Sequence, residues 1–504
     1  MSYASEFIHN YDLSFFKYTE PKSSDYKVFV NGEEASVYTC RISEYAFNTV
    51  WPGHQRPFNQ TVGASFVNLV SEEKLHIKVI AAKKYKKAML KPYSKEIAFT
   101  ENDGVIEFDI NPGDNLVLQL DDHRGCLYLF CSKPVVCENP SDATYYFGPG
   151  IHFPGKITLK SGESIYADKD ALIYGCVYAE NAENIRIFGN GVFDDSHEER
   201  TGNYCYENYV NGNFKLYDCK NVHLEGMLFK NSALWCINLF GCMDVTIDNV
   251  KVFGQWRYNT DGVDIVNCRD IMIKNSFIHS FDDTITIKGI DRYDHIDNER
   301  ITIDNCVLWC DWGKCCEVGI ETACRFYRDI TFRNCDVLRA GNAALDIANG
   351  DYAEIQNVLF ENIRVEYNIF DTPEQYQHTD DEVYTRQNEI STPCLIMIRN
   401  KNFRSKEHIE LWGLPPVPDD VNLEGVNRAS VHHVTVRNIK VYHDKDIPKR
   451  DGKYNAPIIM QNFYEEASFH NFVFEDIYIN GEKLTKETAV LEGADTVKDS
   501  HILD

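Results

Sequence analysis

A short phrase of alternating polar and apolar residues recurs along most of the chain. Each copy opens on Asn, Asp, Arg or His, continues with alternating apolar residues, and reaches an Asn, Asp or Gly four or five positions later. Most copies follow at steps such as 23, 26 and 29 residues, about one coil of a β-solenoid, and none has a helical period. The alternative, a sandwich of unrelated strands, fits these near-constant steps less well. The phrase predicts a parallel β-helix, and its nine copies are Asn184–Ile187, Asn221–Leu224, Asp244–Ile247, Asp270–Ile273, Arg300–Ile303, Asp329–Phe332, Asn357–Phe360, His433–Val436 and Asn471–Phe474.

The first 140 residues lack this phrase. They contain stretches that alternate with period two, such as Tyr26–Val30 and Ile106–Ile110, separated by turn sequences such as Asn-Gly and Pro-Gly. This pattern predicts an antiparallel β-sandwich in residues 1–140, followed by a β-helix domain in residues 141–504. We expect the sandwich to cover the N-terminal end of the solenoid, whose open edge otherwise invites association. The polar, Pro-rich stretch from about 371 to 428 is predicted to be a long loop that either shapes a site or is a surface insertion.

Charge narrows the classes of partner. The 504 residues contain 51 Lys and Arg against 77 Asp and Glu, a formal net charge of -26. Such a charge repels nucleic acid and anionic membranes, and it disfavours polyanionic substrates unless a local basic pocket compensates. The sequence begins without a basic and apolar leader and has no run of about 20 apolar residues. We therefore expect a cytoplasmic protein, and the oligomeric state stays open, with a homo-oligomer among the alternatives.

The 17 cysteines are an odd number, and several recur at the same place in the phrase. Cys219, Cys242 and Cys268 each stand two residues before the residue that opens a copy. This placement predicts small core side chains stacked from coil to coil in a reducing compartment, rather than a disulfide framework. A further group, without a paired C-x-x-C motif, comprises Cys310, Cys315, Cys316 and Cys324. We accordingly predict no metal site and no cofactor.

Three carboxylates interrupt the strand-forming phrases in two short turns. Asp261 lies in the segment Asn-Thr-Asp-Gly-Val-Asp at 259–264, and Asp282 and Asp283 follow 21 residues later. That spacing is about one coil, so both turns are expected on one face, about 4.8 Å apart. Crowded carboxylates can hold one group protonated beside another that is ionised, which acid/base cleavage of a glycosidic bond requires. The alternative is that these are turn residues that only bond their own backbone.

These turns carry a resemblance to a known family. The segment Asn-Thr-Asp-Gly at 259–262 and the segment Phe-Asp-Asp-Thr-Ile-Thr-Ile-Lys at 281–288 are similar to the polygalacturonase-type right-handed β-helix glycosidases (glycoside hydrolase family 28). A sandwich before a β-helix also resembles the family 49 dextranase and isopullulanase group. The resemblance implies that Asp282 is the general acid, that Asp261 and Asp283 are bases that orient water and invert the anomeric centre, and that Asn259 contacts the substrate.

Two departures from the family concern the sugar. Lys314 stands where the family has a histidine, and it is expected to donate to a substrate hydroxyl or to hold an aspartate ionised. The family's Arg-Ile-Lys, which grips a uronate carboxylate, corresponds to Asp346-Ile347-Ala348 here. An anion cannot bind a carboxylate in the way a bidentate cation does. We therefore expect a neutral or non-standard sugar, or a site rebuilt around Arg325 or Arg328.

Aromatic and acidic residues near the motif complete the predicted site. Trp256 and Tyr258, beside the Asp261 turn, are expected to stack on sugar faces, as is Trp312. Glu317 and Glu321 are candidate hydroxyl binders. Trp235 is expected in the core, and Trp309 is left undecided.

The predicted activity is that of an inverting glycosidase that acts, from a chain end, on a plant- or microbe-derived oligosaccharide or polysaccharide. Two alternatives stay open at this point. The first keeps the fold and changes the substrate to an α-glucan, as in the dextranase-like family. The second is a carbohydrate-binding solenoid whose aspartates bond sugar hydroxyls without cleavage.

Overall fold

The computed structural model describes residues 22–43, 61–198, 212–290, 295–371, 392–400, 424–463 and 467–504. These residues form forty β-strands and three short 3₁₀ helices, Tyr93–Lys95, Pro140–Asp142 and Ala494–Thr496. The strands belong to two five-stranded sheets and one thirty-stranded sheet. The all-β fold class predicted from the hydrophobic pattern is confirmed.

The two five-stranded sheets form a sandwich. Their strands are β1 (Tyr26–Val30), β2 (Glu33–Ala35), β3 (Tyr38–Ser43), β4 (Thr61–Val70), β5 (Leu75–Ala81), β6 (Ala88–Lys91), β7 (Phe99–Asn102), β8 (Val105–Ile110), β9 (Asn115–Leu120) and β10 (Asp122–Ser132). The strand orders are β2-β1-β5-β8-β7 and β3-β4-β10-β9-β6, antiparallel except for the parallel pair β4 and β10. Both sheets place alternate apolar side chains, such as Ile77 and Leu118, in one shared core. The period-two stretches therefore pair as predicted, apart from that one parallel pair.

The thirty-stranded sheet winds into a β-helix with three faces. Face 1 contains β17 (Phe214–Tyr217), β20 (Ile237–Phe240), β23 (Val263–Val266), β26 (Ile285–Gly289), β29 (Lys314–Thr322), β32 (Ala343–Asn349), β34 (Cys394–Asn400), β36 (Ile458–Asn462) and β39 (Leu491–Glu492). Face 2 contains β11 (Tyr145–Phe147), β13 (Ser164–Ala167), β15 (Glu183–Gly189), β18 (Lys220–Glu225), β21 (Met243–Asp248), β24 (Arg269–Lys274), β27 (Asn298–Asp304), β30 (Phe326–Arg333), β33 (Glu354–Tyr367), β35 (Val431–His443), β37 (Phe469–Ile479) and β40 (His501–Ile502). Face 3 contains β16 (Val192–Asp194), β19 (Leu228–Lys230), β22 (Lys251–Phe253), β25 (Phe277–Ser280), β28 (Val307–Cys310) and β31 (Asp336–Arg339). The remaining strands are β12 (Gly150–Leu159), β14 (Ala171–Glu180) and β38 (Glu482–Lys483), the last antiparallel to β37.

All nine copies of the phrase lie on face 2, and the first residue of each copy has a left-handed backbone with φ between 52° and 59°. Asn and Asp tolerate this conformation better than other non-glycine residues, which explains why they open most copies. Side chains at this position also bond from coil to coil, as Asn221 Nδ2 does to Asn184 Oδ1 at 2.6 Å. Arg300 is an exception to the residue preference, and its guanidinium is held by both oxygens of Asp270.

The interior of the solenoid is a continuous apolar core that includes the predicted cysteine stack. Cys219, Cys242 and Cys268 are buried, and the Cys242 N–H lies 3.3 Å from Cys268 Sγ. All the cysteines of the described residues are free thiols. Cysteine here therefore acts as a small apolar side chain, as its periodic placement predicts.

In the described ranges, the sandwich lies along the side of the solenoid and not over its N-terminal end, so the expectation that it covers this end is wrong. The outer face of the β3-β4-β10-β9-β6 sheet packs on face 3 across successive coils. Phe66 and Phe130 contact Phe253 with ring centroids 4.8 and 5.1 Å apart, and Phe130 contacts Phe277 at 5.1 Å. Face 3 is apolar at these outward positions, because the sandwich replaces solvent there.

Some predictions concern residues beyond those described. Most of the predicted 371–428 loop falls in 372–391 and 401–423, which lie outside the described ranges. The last sandwich strand ends at Ser132 and the first solenoid strand begins at Tyr145. The division into domains 1–140 and 141–504 stays a prediction. None of the helices in the described ranges is long and apolar enough to span a membrane.

Candidate active site

The predicted aspartates lie in the turns that lead from face 3 to face 1 on successive coils. Asp261 precedes β23, and Asp282 and Asp283 precede β26. Backbone hydrogen bonds join the two turns: the Gly262 N–H donates to the Asp283 carbonyl at 2.9 Å, and the Asp282 N–H donates to the Thr260 carbonyl at 3.3 Å. The structure therefore brings the three carboxylates onto adjacent coils, as the 21-residue spacing implies.

Glycine allows the next turn to approach these carboxylates. A Cβ atom on Gly313 would lie 2.3 Å from Asp283 Oδ1 and 2.8 Å from Asp282 Oδ1. Likewise, a Cβ atom on Gly262 would lie 2.4 Å from the carbonyl oxygen of Thr284. Three consecutive turns thus converge around the aspartates because two of them have no side chain at the point of contact.

Asn259 links the two aspartate turns. Its backbone is left-handed, with φ of 60°, which turns its side chain back toward the site. The amide Nδ2 lies 3.2 Å from Asp282 Oδ2 and 3.4 Å from Asp261 Oδ1. One amide group therefore contacts carboxylates of two coils and fixes their relative position.

A buried lysine neutralises part of the cluster. Lys288 Nζ lies 2.8 Å from Asp261 Oδ2 and 2.9 Å from Asp264 Oδ1, and it stands 3.8 Å from the ring centroid of Trp235. Burial raises the pKa of Asp264 to about 6, although Lys288 opposes this shift. Burial also raises the pKa of Asp261, again against Lys288 and with the carboxylate of Asp264 adding to the rise. These two acids therefore share one cation and compete for one proton.

The pKa values of the adjacent residues Asp282 and Asp283 differ more strongly. Burial raises the pKa of Asp282 to about 7, and the charge of Asp283 adds to this rise. Burial acts the same way on Asp283, but Lys314 and Lys288 outweigh it and lower the pKa of Asp283 to about 2. Lys314 contacts Asp283 Oδ1 through both its backbone N–H, at 3.1 Å, and its Nζ, at 3.3 Å. Two neighbouring aspartates are thus held in opposite protonation states at weakly acidic pH.

Further carboxylates continue along face 1. Glu317 is buried, and its Oε1 lies 2.8 Å from Lys314 Nζ. Burial and the charge of Asp283 raise the pKa of Glu317 well above its usual range. Asp346, one coil on, pairs in register with Glu317 and accepts from Arg399 Nη2 at 3.0 Å through Oδ1. Face 1 is therefore acidic next to the aspartates, and its two cations, Lys314 and Arg399, already contact carboxylates.

Four aromatic rings lie beside the turns. Tyr258 and Phe281 are 5.6 and 5.7 Å from Trp312, measured between ring centroids, and Phe281 stacks on Trp312 at 25°. Trp312 and Tyr258 are half-buried, as is Trp256, whose Nε1 donates to Asn231 Oδ1 at 3.1 Å. All three side chains are partly exposed, and stacking of a sugar on them stays a prediction. The two remaining tryptophans near the motif, predicted as core or left undecided, are both buried: Trp235 and Trp309.

Sequence reasoning identified most of this group but missed Arg399 and Lys288. Arg399 stands in register with Ala348 although 51 positions separate them in the chain, so coil counting could not align them. The suggested replacement cation Arg328 instead lies 3.8 Å from Glu299 on face 2. Glu321 is half-buried near the end of β29, and its charge helps to raise the pKa of Lys288.

In the described ranges, no three His, Cys, Asp or Glu side chains are arranged to hold a metal ion. The group of cysteines without a paired C-x-x-C motif consists of buried free thiols: Cys310, Cys315, Cys316 and Cys324. Cys310 Sγ contacts the carbonyl of Asp282 at 3.0 Å behind the turn. These thiols pack under the aspartate turns.

Comparison with known proteins shows which families the chain resembles. Residues 141–379 match the model of the glycosyl hydrolases family 28. Rhamnogalacturonase B of Aspergillus niger is 23% identical over 217 residues, which cover 40% of this chain and 36% of that protein. A probable exopolygalacturonase B of Aspergillus terreus (strain NIH 2624 / FGSC A1156) is 22% identical over 271 residues, covering 48% of this chain and 60% of the relative. The chain thus spans less than two thirds of the length of either relative.

The whole architecture also has a solved counterpart. Dex49A from Penicillium minioluteum superposes with a TM-score of 0.62 at 13% identity, over 96% of this chain and 95% of that one. At this identity the likeness concerns the fold, and it extends through both the sandwich and the solenoid. Together with the match over residues 141–379 and the resemblance at the aspartate turns, it supports a β-helix that is similar to that of the glycosyl hydrolases family 28.

Proposed function

We propose that the protein is a glycoside hydrolase that cleaves its substrate with inversion, using Asp282 as the general acid and Asp283 with Asp261 as the bases. The observation that carries this proposal is the unequal contacts of two neighbouring aspartates: Lys314 contacts Asp283 Oδ1 through both its N–H and its Nζ, whereas the neutral amide of Asn259 contacts Asp282 Oδ2. Accordingly, the pKa of Asp282 is raised to about 7 and the pKa of Asp283 is lowered to about 2. An acid that keeps its proton beside a base that has lost it is the requirement for hydrolysis of a glycosidic bond.

Each carboxylate has a distinct task in this reaction. Asp282, oriented by Asn259, donates its proton to the glycosidic oxygen as the bond to the leaving sugar breaks. Asp283, ionised by Lys314, orients a water molecule on the opposite face of the ring and accepts a proton from it. Asp261 assists at that water in the microstates in which Lys288 holds it ionised. Because water attacks opposite the leaving group, the anomeric configuration inverts.

We further propose that the sugar bound over face 1 is neutral or otherwise lacks a uronate carboxylate. Asp346 occupies the place where the resembling family grips that carboxylate, and Arg399 behind it is paired with Asp346. Lys314 is paired with Asp283 and Glu317. A uronate would have to displace one of these carboxylates from its cation, whereas neutral hydroxyls can donate to them.

Chain-end action and cytoplasmic placement are the finer parts of the proposal. The name of the Aspergillus terreus relative, a probable exopolygalacturonase, supports an exo mode. The free thiols of the described cysteines support a reducing compartment. Analysis of products over time tests the first, because an exo enzyme releases one small product from the start. Cell fractionation tests the second.

A panel of neutral and acidic oligosaccharides, α-glucans included, tests the central proposal through new reducing ends and NMR of the first product anomer. Native protein is expected to release the inverted anomer, and Asp282→Asn to release none. Ser71→Ala, which removes a hydroxyl bonded only within an exposed sandwich turn, is a matched control expected to keep full activity. Tight binding without release by native protein would instead indicate a carbohydrate-binding solenoid, and equal release by Asp282→Asn would refute the assigned acid.

A further inference from the structure

A chain of buried polar side chains runs from the sandwich to the turns of the candidate active site. Tyr128 on β10 is fully buried, and its hydroxyl oxygen lies 2.7 Å from Nδ1 of His279 on β25. His279 Nε2 lies 3.1 Å from Oδ2 of Asp311, the first residue after β28. None of these three side chains is accessible to solvent. The chain therefore joins two parts of the protein through contacts that water does not screen.

The direction of these hydrogen bonds follows from Asp311. Burial raises the pKa of this acid, but His279 and Arg339 outweigh it and lower the pKa below the usual range. The ionised carboxylate only accepts, and its Oδ1 takes hydrogen bonds from Trp309 Nε1 and Arg339 Nη1, both at 3.0 Å. His279 Nε2 therefore donates to Asp311, and in the neutral form of the imidazole this leaves Nδ1 to accept from the Tyr128 hydroxyl. Asp311 thus selects the tautomer of a neutral His279, and Tyr128 of the sandwich supplies the matching donor.

Asp311 in turn fixes the loop that carries the sugar-facing residues. The Asp311 N–H donates to the Ser280 carbonyl at 3.1 Å, and the Trp312 N–H donates to the Phe281 carbonyl at 2.8 Å. These two bonds clamp the third turn against the turn that holds Asp282. The next residue, Gly313, then packs on the carboxylates. A shift of Asp311 would therefore move Trp312 and the catalytic turn together.

We propose that Tyr128 is a positioning residue through which the sandwich holds the catalytic turns in register. The inference rests on the proposed function, because it assigns this chain of contacts a role in the reaction. It also gives the sandwich a task other than shielding an end of the solenoid: the sandwich lies on face 3 and reaches the site from behind. Replacing Tyr128 by Phe removes one hydroxyl and leaves the His279 Nδ1 lone pair without a partner in a dry environment.

A matched control lies on the same strand. Ser132 of β10 is also buried, and its hydroxyl accepts a hydrogen bond from Lys251 Nζ on β22. Ser132→Ala therefore removes a second bond between sandwich and solenoid, but one that leads to the start of β22 and not to the catalytic turn. Both variants are expected to lose similar thermal stability. Only Tyr128→Phe is expected to lower kcat, by about tenfold, with KM within about twofold of native, because misplacement of catalytic groups acts on the chemical step.

Hydrogen exchange followed by mass spectrometry gives a readout that needs no substrate. Peptides covering residues 277–290 and 309–317 are expected to exchange faster in Tyr128→Phe than in native protein, and to be unchanged in Ser132→Ala. Native exchange at these peptides in Tyr128→Phe, or equal losses of kcat in both variants, would overturn the inference. Failure of the proposed function gives a different result. In that case native protein releases no product, or Asp282→Asn releases as much as native protein, whatever the exchange at these turns.

Discussion

Replacing Lys314 by methionine is expected to move the acidic limb of the activity profile to higher pH. Asp283 must be ionised to act as a base, and Lys314 is the largest favourable contribution that keeps its pKa near 2. The same lysine lowers the pKa of Asp282, so the alkaline limb, set by loss of the Asp282 proton, is expected to rise above about 7 as well. The whole bell-shaped profile should therefore shift upward without a change in the acid or the base.

The size of the shift follows from the contact distance. Opposite charges 3.3 Å apart attract by about 5 kcal/mol at an effective dielectric constant of about 20. Only part of this attraction is lost, because the backbone N–H of residue 314 still donates after substitution and Lys288 still acts on Asp283. We therefore expect a rise of about one to three pKa units for Asp283. Glu317 already favours its neutral form, so losing the cation leaves no new buried charge.

The assay is kcat/KM between about pH 2.5 and 8.5, with circular dichroism at each pH to exclude unfolding. Native protein should show no acidic limb down to about pH 3, whereas Lys314→Met should show one between about pH 3 and 5. Lys314→Arg preserves the charge and is expected to stay within about half a unit of native. The reasoning is refuted if the methionine variant retains the native acidic limb, or if the arginine variant shifts as far as the methionine variant.

Three further substitutions test other parts of the site. Asp282→Asn is expected to abolish turnover yet stabilise the fold by about 2 to 4 kcal/mol at pH 8 and not at pH 4. The reason is that a carboxyl group with a raised pKa costs stability as the pH rises from about 4 to about 7. Chemical unfolding at both pH values checks this, and equal stabilisation at pH 4 would contradict it. Gly313→Ala is expected to lower kcat by about 100-fold with native circular dichroism, because its methyl group would overlap Asp283 Oδ1; near-native kcat would show that the turn yields. Trp312→Ala is expected to raise KM by about tenfold with kcat within about threefold, because one stacking surface is lost. Calorimetric titration of substrate into Asp282→Asn, with and without Trp312→Ala, checks that the effect is on binding.

Much of the fold could be predicted because the same sequence pattern recurs in each coil of the β-helix. The opening residue of each phrase adopts a left-handed backbone, and Asn and Asp mark that position in the sequence as well as in the structure. Even Arg300 and His433, which depart from the preference, lie at the same backbone position. Local backbone chemistry of this kind is visible in one chain without any knowledge of distant contacts.

The side-by-side packing of the sandwich was not predictable in this way. Phe253 and Phe277 are outward-facing residues of face 3, and in the sequence they resemble any other apolar strand residue. Their partner, Phe130, lies more than 100 positions earlier, and no local pattern specifies the pairing. A prediction based on the exposed edge placed the sandwich at the end of the solenoid, whereas burial of this apolar face decided its place.

The same limit applies to the site. The spacing of Asp261 and the 282–283 pair was sufficient to place three carboxylates on adjacent coils. The division of their protons was predictable only in part: Lys314 was expected to donate to a sugar or to hold an aspartate ionised, and the structure shows it on Asp283. The effect of Lys288, which opposes burial at Asp261, was missed. These lysines act through contacts of about 3 Å that arise only when three coils are stacked.

The charge balance of the site connects its chemistry to its choice of sugar. Three cations in the described part of the site face twice as many carboxylates, and all of them are buried or nearly so. Burial forbids an uncompensated excess of charge, so the group must retain protons, and this retention would supply the proposed general acid. A substrate that brought another carboxylate would increase the excess, whereas hydroxyl groups offer donors to the same oxygens. The group consists of Asp261, Asp264, Asp282, Asp283, Glu317 and Asp346 with Lys288, Lys314 and Arg399. The excess of buried carboxylates that keeps a proton on Asp282 therefore also favours the proposed neutral sugar.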